Sequence, residues 1–330
     1  MAGSLVAISR LTRVVEVLRV AIMADETGWH TRQLQAALRA RGAVGRCVDL
    51  EDCRIDTTLS RHGLVIPGFG RELPDAVLVR GIAGGSFEQV TKRLTVLHAL
   101  RELGVPVYND ARAIERSVDK GMTSLLLHQA GIATPPTWVT ESAAEARRIA
   151  LREGAAGQTL VLKPLFGSQG EGLRLVGEVN GTHQPLPALE DGYGRLAYLQ
   201  RFVPPISEPG FDWRVLVVGG RALTAMRRVS QHWVHNVAQG ATCRPQALVP
   251  EITAPAEAAA AALDMDYAGV DLMPTADGRV LVIEVNGVAA WQGLQRVTRG
   301  FNIARALVDD LLDRKLVRTR ARPLRVASPP

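Results

Sequence analysis

Residues 271–286 read Asp-Leu-Met-Pro-Thr-Ala-Asp-Gly-Arg-Val-Leu-Val-Ile-Glu-Val-Asn. Two runs typical of β-strands flank Asp277-Gly278, a dipeptide that favours a two-residue hairpin turn. If these two residues form the whole turn, Asp271 lies opposite Glu284 on the neighbouring strand. Glu284 and Asn286 are two residues apart, so they share one face of their strand. The stretch therefore predicts two carboxylates and an amide that converge on one point.

The oxygen-bearing side chains of this hairpin suit a hard divalent cation. Opposed Cβ atoms lie about 4.5–5.5 Å apart, and like charges at that separation repel each other. A bound cation cancels the repulsion, and an all-oxygen set favours Mg²⁺, or Mn²⁺, over Zn²⁺. The strand pattern 280–286 is apolar on both faces until Glu284, so its polar end is expected to open into a cleft. A hairpin with polar residues on an outer face is the alternative.

The composition places the chain among soluble globular proteins. It has 330 residues, of which 47% are hydrophobic and 22% charged, enough for two or three lobes. No apolar run approaches the roughly 20 residues that span a bilayer, so we expect no membrane segment. The cysteines lack zinc-finger spacing, which favours free thiols and a cytoplasmic location. The three cysteines are Cys47, Cys53 and Cys243.

The net charge of +6 is concentrated at the C-terminus. Residues 314–330 carry six cations and no acid, so the rest of the chain is about neutral. We expect residues 317–330 to form a disordered basic tail, with binding to an anionic partner as the alternative. The body has no basic repeats or stacked aromatics, so no nucleic-acid partner is expected. A homodimer is the default oligomeric state.

Strand and helix patterns alternate in the first part of the chain, which predicts a parallel α/β lobe over residues 1–115. Its first strand lacks a Gly-x-Gly-x-x-Gly motif, which argues against a dinucleotide site. A second lobe is expected over 116–195 and a strand-rich third lobe over 196–316. Strands are predicted at 18–24, 46–50, 75–80, 105–109, 159–164, 173–176, 196–203, 212–218 and 221–229. Helices are predicted at 31–41, 87–103, 120–130, 141–152, 254–263 and 302–314.

A lysine followed by a glycine-rich loop indicates phosphate binding. Lys163 ends an apolar strand pattern, and Gly167-Ser168-Gln169-Gly170-Glu171-Gly172 follows it. Glycines let backbone amides approach phosphate oxygens, and the ammonium group supplies a point charge. The loop joins two strand patterns, so we expect a mobile lid over a phosphate chain. A flexible turn without a ligand is the alternative.

Arg80 ends a strand pattern of the first lobe. Ligands of α/β sheets collect at this edge, where a guanidinium can bind a substrate carboxylate through two hydrogen bonds. Alternatively, Arg80 only caps its strand.

The order and spacing of these motifs resemble the ATP-grasp superfamily, and within it the RimK-like α-L-glutamate ligases. The resemblance covers about Asp75 to Leu312. It implies an α/β fold with α+β lobes, in which an N-terminal pre-ATP-grasp domain precedes the ATP-grasp fold. The matching motifs are Val79-Arg80, Tyr108-Asn109, Asp119-Lys120, Lys163-Pro164 with its glycine loop, Asp212-Trp-Arg214, Asn236, Ala268-Gly-Val-Asp271 and Glu284-Val-Asn286.

The resemblance implies an ATP site between the lobes. Lys120 and Lys163 would contact the ATP phosphates from the two sides of the cleft, although Lys120 could instead be a solvated first-turn residue. The hinge strand would be Gln200-Arg201-Phe202-Val203, in which backbone groups of Arg201 and Val203 contact the adenine edge. Glu208 would bind the ribose hydroxyls, with Asp212 as the second choice.

The resemblance also implies roles for the remaining polar residues. Asp271, Glu284 and Asn286 would hold one or two Mg²⁺ ions. Arg214 and Arg227 would stabilise the transferring phosphoryl group, unless they face solvent. Asn236 would contact substrate, or be only a turn residue.

The implied reaction is an ADP-forming ligation of a carboxylate to an amine through an acyl phosphate. Segments 236–241 and 287–294 depart from the RimK pattern, which shifts the expected acceptor towards a small molecule of pterin type. Glutamate, or another amino acid, would be added to it. The alternatives are a protein-modifying glutamate ligase, a nucleotide-binding regulatory protein, and a kinase that stops at the phosphorylated product.

Overall fold

The computed structural model describes residues 17–59, 61–167, 169–190 and 192–321. Ser168 of the glycine loop and residues 322–330 of the basic tail therefore lie outside the described residues. The described chain forms three lobes, each built on its own sheet. No helix in the described ranges is both long enough and apolar enough to cross a bilayer.

The N-terminal lobe is a parallel α/β layer, as predicted. Its four-stranded sheet has the order β2-β1-β5-β6, and every neighbouring pair is parallel. Both faces are buried, which explains the continuous apolar runs of its central strands. Its elements are β1 (Arg19–Met23), α1 (Trp29–Ala40), β2 (Val44–Val48), β3 (Arg54–Ile55), β4 (Leu64–Val65), β5 (Ala76–Val79), α2 (Phe87–Glu102), β6 (Val107–Tyr108) and α3 (Ala111–Val118).

The middle lobe is an antiparallel sheet of order β10-β9-β8-β11-β7, packed against α5. Its last strand, β11, pairs with β7 and β8. The expected boundary at residue 195 therefore moves to Arg201, because these hydrogen bonds include β11 in the middle sheet. The elements are α4 (Lys120–Gln129), β7 (Thr137–Thr140), α5 (Ala143–Ala155), β8 (Leu160–Lys163), β9 (Arg174–Val179), β10 (Thr182–Gln184) and β11 (Ala197–Arg201).

The C-terminal lobe is an antiparallel sheet of order β14-β13-β12-β15-β16. One face packs on α6, and α4 contributes Leu127 to the same core. The elements are β12 (Gly210–Val218), β13 (Arg221–Ser230), a 3₁₀ turn (Val237–Gln239), β14 (Thr242–Gln246), α6 (Pro250–Ala262), β15 (Tyr267–Pro274), β16 (Val280–Asn286), α7 (Gln292–Val297), α8 (Ile303–Asp310), a π-helical segment (Leu311–Leu316) and α9 (Val317–Arg320).

The turn between β15 and β16 has three residues, not the two that were predicted. A two-residue turn would pair Ala276 with Arg279. Instead, the N–H of Thr275 donates to the Arg279 carbonyl at 2.9 Å. Gly278 has a φ of +81°, the left-handed conformation that the last position of a three-residue hairpin loop requires. The extra turn residue shifts the register of the strands by one position.

A β-bulge at Ile283 reverses that shift. Leu272 pairs with Val282, but Asp271 pairs with Glu284, which leaves Ile283 as the extra residue. Bulges next to functional sites re-aim side chains, and this one turns Glu284 to the face that carries Asp271. The predicted pairing of Asp271 with Glu284 is confirmed, although the predicted turn is wrong.

One hydrophobic core joins the N-terminal and C-terminal lobes. It contains Ile22 of β1, Leu38 of α1, Leu216 of β12, Trp291 and Leu307 of α8. The other face of the N-terminal sheet packs on α2 in a second core. The middle lobe has a separate core of its own.

The basic C-terminal segment is ordered further than predicted. The chain is helical through Arg320, so the expectation of a disordered tail from residue 317 is wrong for residues 317–320. Arg314 and Lys315 are bound to Asp266 at 3.0 and 2.7 Å, and Arg320 pairs with Asp75 at 3.1 Å. These carboxylates explain why the positive charges do not keep the segment apart from the body.

Leu307→Ala tests the core between the outer lobes. Leu307 is 1% exposed, so truncation should lower the free energy of unfolding by about 2–5 kcal/mol. The matched control is Leu151→Ala on α5, where the side chain is 73% exposed and the loss should stay below about 0.5 kcal/mol. Urea unfolding measures both. Equal losses of unfolding free energy in the two variants would contradict the assignment of Leu307 to the core between the outer lobes.

Candidate active site

One face of the C-terminal sheet is apolar at one end and charged at the other. Side chains alternate along β15, so Tyr267 lies in the core between the outer lobes while Asp271 on the same face reaches the cleft. Asp212 and Arg228 are paired across β12 and β13, and Arg214 lies opposite Asp271. The register therefore brings two carboxylates and two guanidinium groups together.

These four buried side chains form one ion-pair network. Arg214 binds both oxygens of Asp271, with Nη2 at 2.7 Å from Oδ2. Arg228 binds both oxygens of Asp212, at 2.7 and 2.5 Å, and its Nη2 also lies 3.0 Å from Asp271 Oδ2. Asp271 is 3% exposed and Arg228 is 4% exposed, so the charges depend on one another rather than on solvent.

The two carboxylates of the network have different pKa values. Burial raises the pKa of Asp212 to about 6, opposed by Arg228 and reinforced by the negative charge of Asp271. Burial acts in the same direction on Asp271, but Arg214 and Arg228 together hold its pKa below the usual value. Asp271 is therefore the more firmly ionised of the two.

Two lysines approach the cleft from opposite sides. Asp119 caps α4 by accepting the Met122 N–H at 3.0 Å, which places Lys120 in the first turn. The Lys120 Nζ donates to the carbonyls of Gly167 and Leu165 at 2.8 and 3.2 Å, so it crosses to the glycine loop. Lys120 is therefore not a solvated first-turn residue.

Lys163 lies at the end of β8, where its Nζ donates to Gln200 Oε1 at 2.6 Å. Removal of the ammonium group from water lowers the pKa of Lys163 to about 8, and the charge of Lys120 adds to that effect. Burial also lowers the pKa of Lys120, against the attraction of Glu284. Both lysines would gain from a strongly anionic ligand between them.

The glycine loop follows Lys163 as predicted, and its backbone is in the left-handed region at three positions. Gln169, Gly170 and Gly172 have φ values of 61°, 76° and 68°. A side chain at Gly170 would collide with Val234 and Asn236, so this glycine is required by close contact with the neighbouring loop.

Asn236 belongs to the cleft rather than to a remote turn. It lines the same cavity as Lys163, Asp271 and Glu284. Next to it, Gln239 Nε2 donates to the Gln169 carbonyl at 3.3 Å. The loop 231–241 thus contacts the glycine loop directly.

The predicted metal ligands lie together on the bulged hairpin, and their donor chemistry fits a hard divalent cation. Glu284 and Asn286 follow Asp271 on the cleft face, and Asn286 Nδ2 donates to the Gly269 carbonyl at 3.2 Å, which leaves its Oδ1 as an acceptor. Three of roughly four lone-pair positions of Asp271 already face guanidinium groups. No group of three or more His, Cys, Asp or Glu side chains in the described residues is arranged to hold a metal.

The hinge strand is only partly as predicted. Gln200 is buried and binds Lys163, and the Arg201 side chain pairs with Glu153 at 2.7 Å. The Arg201 N–H already donates to the Pro136 carbonyl at 2.9 Å, so it cannot contact adenine. Pro136 has no N–H to offer in return, and this leaves the Arg201 carbonyl available on the edge that Val203 shares.

The ribose assignments find no support in the geometry. Glu208 is exposed, directly before the cis peptide bond to Pro209, and does not line the cavity of Lys163 and Asp271. Asp212, the second choice, does line it, but both of its oxygens are bound by Arg228.

Arg227 lies on the face opposite Asp271, so its predicted role at the phosphoryl group is wrong. Its guanidinium stacks on Phe211 at 4.3 Å from the ring centre and donates to Gln246 at 3.2 Å. Its neighbour Arg228 takes the predicted place, because successive residues of β13 point to opposite faces. The choice between the two arginines depends on the register of β13 against β12, which pairs Arg228 with Asp212 and which the sequence does not show.

Arg80 directly follows β5 of the N-terminal sheet and contacts the segment after β16. Its Nη1 donates to the Val288 carbonyl at 3.1 Å, two residues after Asn286. Nearby, Trp291 packs edge-to-face against Trp29 and His30, with ring centres 4.8 Å apart in both pairs. The Trp291 Nε1–H is buried and has no acceptor among the described residues.

Comparison with known families gives the identity of this arrangement. The RimK-like ATP-grasp domain matches residues 117–311, and the RimK PreATP-grasp domain matches residues 18–114. The chain belongs to the RimK-like ATP-grasp family. As a member of this family of ligases, the protein is an ATP-dependent carboxylate–amine ligase, which confirms the ligase expected from the sequence.

Several relatives cover nearly the whole RimK-like chain. The tetrahydromethanopterin:alpha-L-glutamate ligase of Methanococcus maripaludis is 30% identical over 90% of this chain and 98% of its own. That of Methanocaldococcus jannaschii is 34% identical over 72% and 79%. A probable alpha-L-glutamate ligase of Aeromonas salmonicida is 30% identical over 89% and 96%.

Solved structures share the fold. The ATP-grasp ligase PsnB, solved with a minimal precursor, Mg and ADP, superposes with a TM-score of 0.65 at 21% identity, over 92% of this chain and 98% of its own. A RimK domain protein of Sphaerobacter thermophilus gives a TM-score of 0.64 at 23% identity, over 89% and 99%. At these identities the likeness concerns the fold, and the N-terminal parallel sheet with two ATP-grasp lobes is as predicted.

The pKa of Lys163 predicts how anion binding depends on pH. A lysine whose pKa is lowered to about 8 loses its proton as the pH rises through 8. Affinity for inorganic tripolyphosphate should therefore fall about tenfold between pH 7 and pH 9. In Lys163→Arg the charge persists, so calorimetry should show only the change due to the ligand's own ionisation. Equal pH profiles for both proteins would contradict the assignment.

Proposed function

We propose that this RimK-like protein joins the amine of L-glutamate to a carboxylate of a small pterin-type molecule, with release of ADP and phosphate. Relatives named for tetrahydromethanopterin and α-L-glutamate, matched over 79–98% of their own lengths, support this substrate pair. The departures of segments 236–241 and 287–294 from the RimK pattern support a small acceptor over a ribosomal protein.

The observation that carries the proposal is the charge arrangement of the cleft. Four cations and four carboxylates meet between the middle and C-terminal lobes, but among the described residues Lys120 and Lys163 hydrogen-bond only neutral oxygens, so their charges are available to a nucleotide triphosphate. The cations are Lys120, Lys163, Arg214 and Arg228, and the carboxylates are Glu171, Asp212, Asp271 and Glu284.

In this proposal, each charged group has a defined task. Lys120 and Lys163 bind the phosphate chain from the two sides, and the glycine loop covers it. Glu284, Asn286 and Asp271 would hold a divalent cation, which would supply positive charge to offset that of the phosphate chain. Mg²⁺ is favoured by the oxygen ligands, with Mn²⁺ as a substitute. The Arg201 carbonyl and the Val203 backbone are the groups available to the adenine edge.

The chemistry proceeds in two displacements. A carboxylate oxygen of the acceptor attacks the γ-phosphorus of ATP, and the bond to the β–γ bridging oxygen breaks to release ADP. The amine nitrogen then attacks the acyl carbon, phosphate leaves, and the amine loses a proton as the amide forms. Arg214 and Arg228 lie where their donors can follow the charge of the transferring phosphoryl group.

A peptide acceptor is the second candidate, because an open groove runs beside the glycine loop. This groove of about 780 Å³ lies between α4 and β7. Its wall includes the exposed side chains of Met122, Leu125 and Val139, next to Leu165 of the loop. An extended peptide with apolar side chains would suit it.

Product analysis tests the proposed function. The protein is incubated with ATP, Mg²⁺, L-glutamate and either a pterin-type carboxylate or an unstructured peptide that has apolar side chains and a free carboxylate. Mass spectrometry should show a gain of one glutamate residue on the pterin, with one ADP released per bond. Hydroxylamine should trap the acyl phosphate when glutamate is omitted. Product on the peptide alone would favour the second candidate, and ADP release with no product would contradict both.

Arg228→Lys and Arg227→Lys form a matched pair. Arg228 lies in the cleft and Arg227 on the opposite face, so only the first substitution should slow ADP release, by about 10²–10³-fold. Lysine keeps the charge, which limits the loss of stability that an unpaired Asp212 would cause. Thermal unfolding of both variants checks that they are folded. A larger kinetic effect of Arg227→Lys would contradict the placement.

A further inference from the structure

Arg80 is a half-buried cation whose charge is not paired within the described chain. Its backbone N–H donates to the Met23 carbonyl at 2.7 Å, and its Nη1 donates to the Val288 carbonyl at 3.1 Å. No described carboxylate lies within ion-pair distance of its guanidinium. Asp25, on the loop after β1, is exposed and lies against Gly81 instead. The remaining N–H groups of the Arg80 guanidinium are therefore open to solvent or to a ligand.

The groups around Arg80 are neutral and already engaged. His30 Nε2 accepts the Trp291 N–H at 3.2 Å, and burial followed by the charge of Arg80 lowers the pKa of His30 to about 4. The Tyr267 hydroxyl donates to the Val79 carbonyl at 2.9 Å. Neither side chain carries a negative charge, so neither neutralises the guanidinium of Arg80.

The Arg80 side chain is bound to the segment that follows the hairpin of β15 and β16. The carbonyl that it binds belongs to Val288, and two residues of chain between Asn286 and Val288 span at most about 7 Å. Asn109 anchors the same segment by donating to the Gly287 carbonyl at 2.6 Å. The Arg80 guanidinium is therefore tied to the segment that directly follows Glu284 and Asn286.

From this juxtaposition we infer that Arg80 is the residue that selects the amine substrate, by binding its second carboxylate. The inference rests on the proposed function and adds the determinant of its specificity. With the amine at the acyl phosphate beside Glu284, the distal carboxylate of glutamate reaches Arg80 and accepts two parallel hydrogen bonds. A glutamine side chain offers one acceptor and no charge, which leaves the guanidinium unpaired.

Discrimination between glutamate and glutamine measures this role. The ligase should prefer L-glutamate over L-glutamine by about a hundredfold in kcat/KM. Arg80→Gln should raise the KM for glutamate by about the same factor while kcat stays within a few-fold, because Arg80 does not contact the phosphoryl group. The KM for glutamine should be unchanged, so the preference disappears. Arg80→Lys should retain part of the preference.

Arg71→Gln is the matched control. Arg71 is an exposed arginine of the same lobe, and its substitution removes the same charge without touching the cleft. It should leave the preference for glutamate intact. If the preference depends only on the overall charge of the lobe, Arg80→Gln and Arg71→Gln should lower it equally. That result would overturn the inference.

A binding measurement separates this inference from the proposed function. L-glutamate and L-glutamine are titrated by calorimetry into the protein with Mg²⁺ and ADP, where no turnover is needed. Arg80-dependent binding of glutamate supports the inference even if no ligation product forms, in which case only the proposed function fails. Retention of the glutamate preference by Arg80→Gln, or the lack of any glutamate binding by the wild-type protein, overturns the inference. Unchanged ADP affinity of Arg80→Gln shows that the variant is folded.

Discussion

The direction of Glu284 depends on a single extra residue in β16. The three-residue turn at 276–278 would put the hairpin one step out of register, and Glu284 would then face the core against α6. The bulge at Ile283 turns it to the cleft, beside Asp271. Because a one-residue slip moves every following side chain to the other face, the bulge also determines where Asn286 lies. The charged site is therefore a consequence of backbone geometry as much as of residue identity.

Asp271 has more partners than a single carboxylate can fully satisfy. Arg214 and Arg228 both bind it, and the hairpin places Glu284 and Asn286 at its other side. In the proposed function, Glu284, Asn286 and Asp271 would hold a divalent cation here, and its positive charge would add to that of Arg214 and Arg228. The network of Arg214, Arg228, Asp212 and Asp271 has two positive and two negative charges, so it is balanced without a ligand. Removal of one buried partner would cost about 3–5 kcal/mol.

The sequence was sufficient where pattern and burial coincide. Strands of the parallel sheet were predictable because both faces are buried, and the hairpin was predictable because an Asp-Gly turn lies between its strands. The predicted pairing of Asp271 with Glu284 holds only because the bulge at Ile283 offsets the extra turn residue. The choice between Arg227 and Arg228 was not, since it depends on the register of β13 against β12. Strand β10 is absent from the predicted strands because the surrounding residues 180–194 are rich in glycine and proline. The order of residues 317–320 was missed because Asp75, the partner of Arg320, is distant in sequence.

The shared core between the N-terminal and C-terminal lobes has a mechanical consequence. Arg80 and Asn286 belong to lobes that are packed together, whereas Lys163 belongs to the middle lobe, which has its own core. If the middle lobe moves towards the C-terminal lobe when a nucleotide binds, the distance between Lys163 and Glu284 would shorten. The distance between Arg80 and Asn286 would stay constant. The residues proposed to select the amino acid therefore lie in the two lobes that share a core. They are independent of the middle lobe, which carries Lys163 and is proposed to bind the nucleotide.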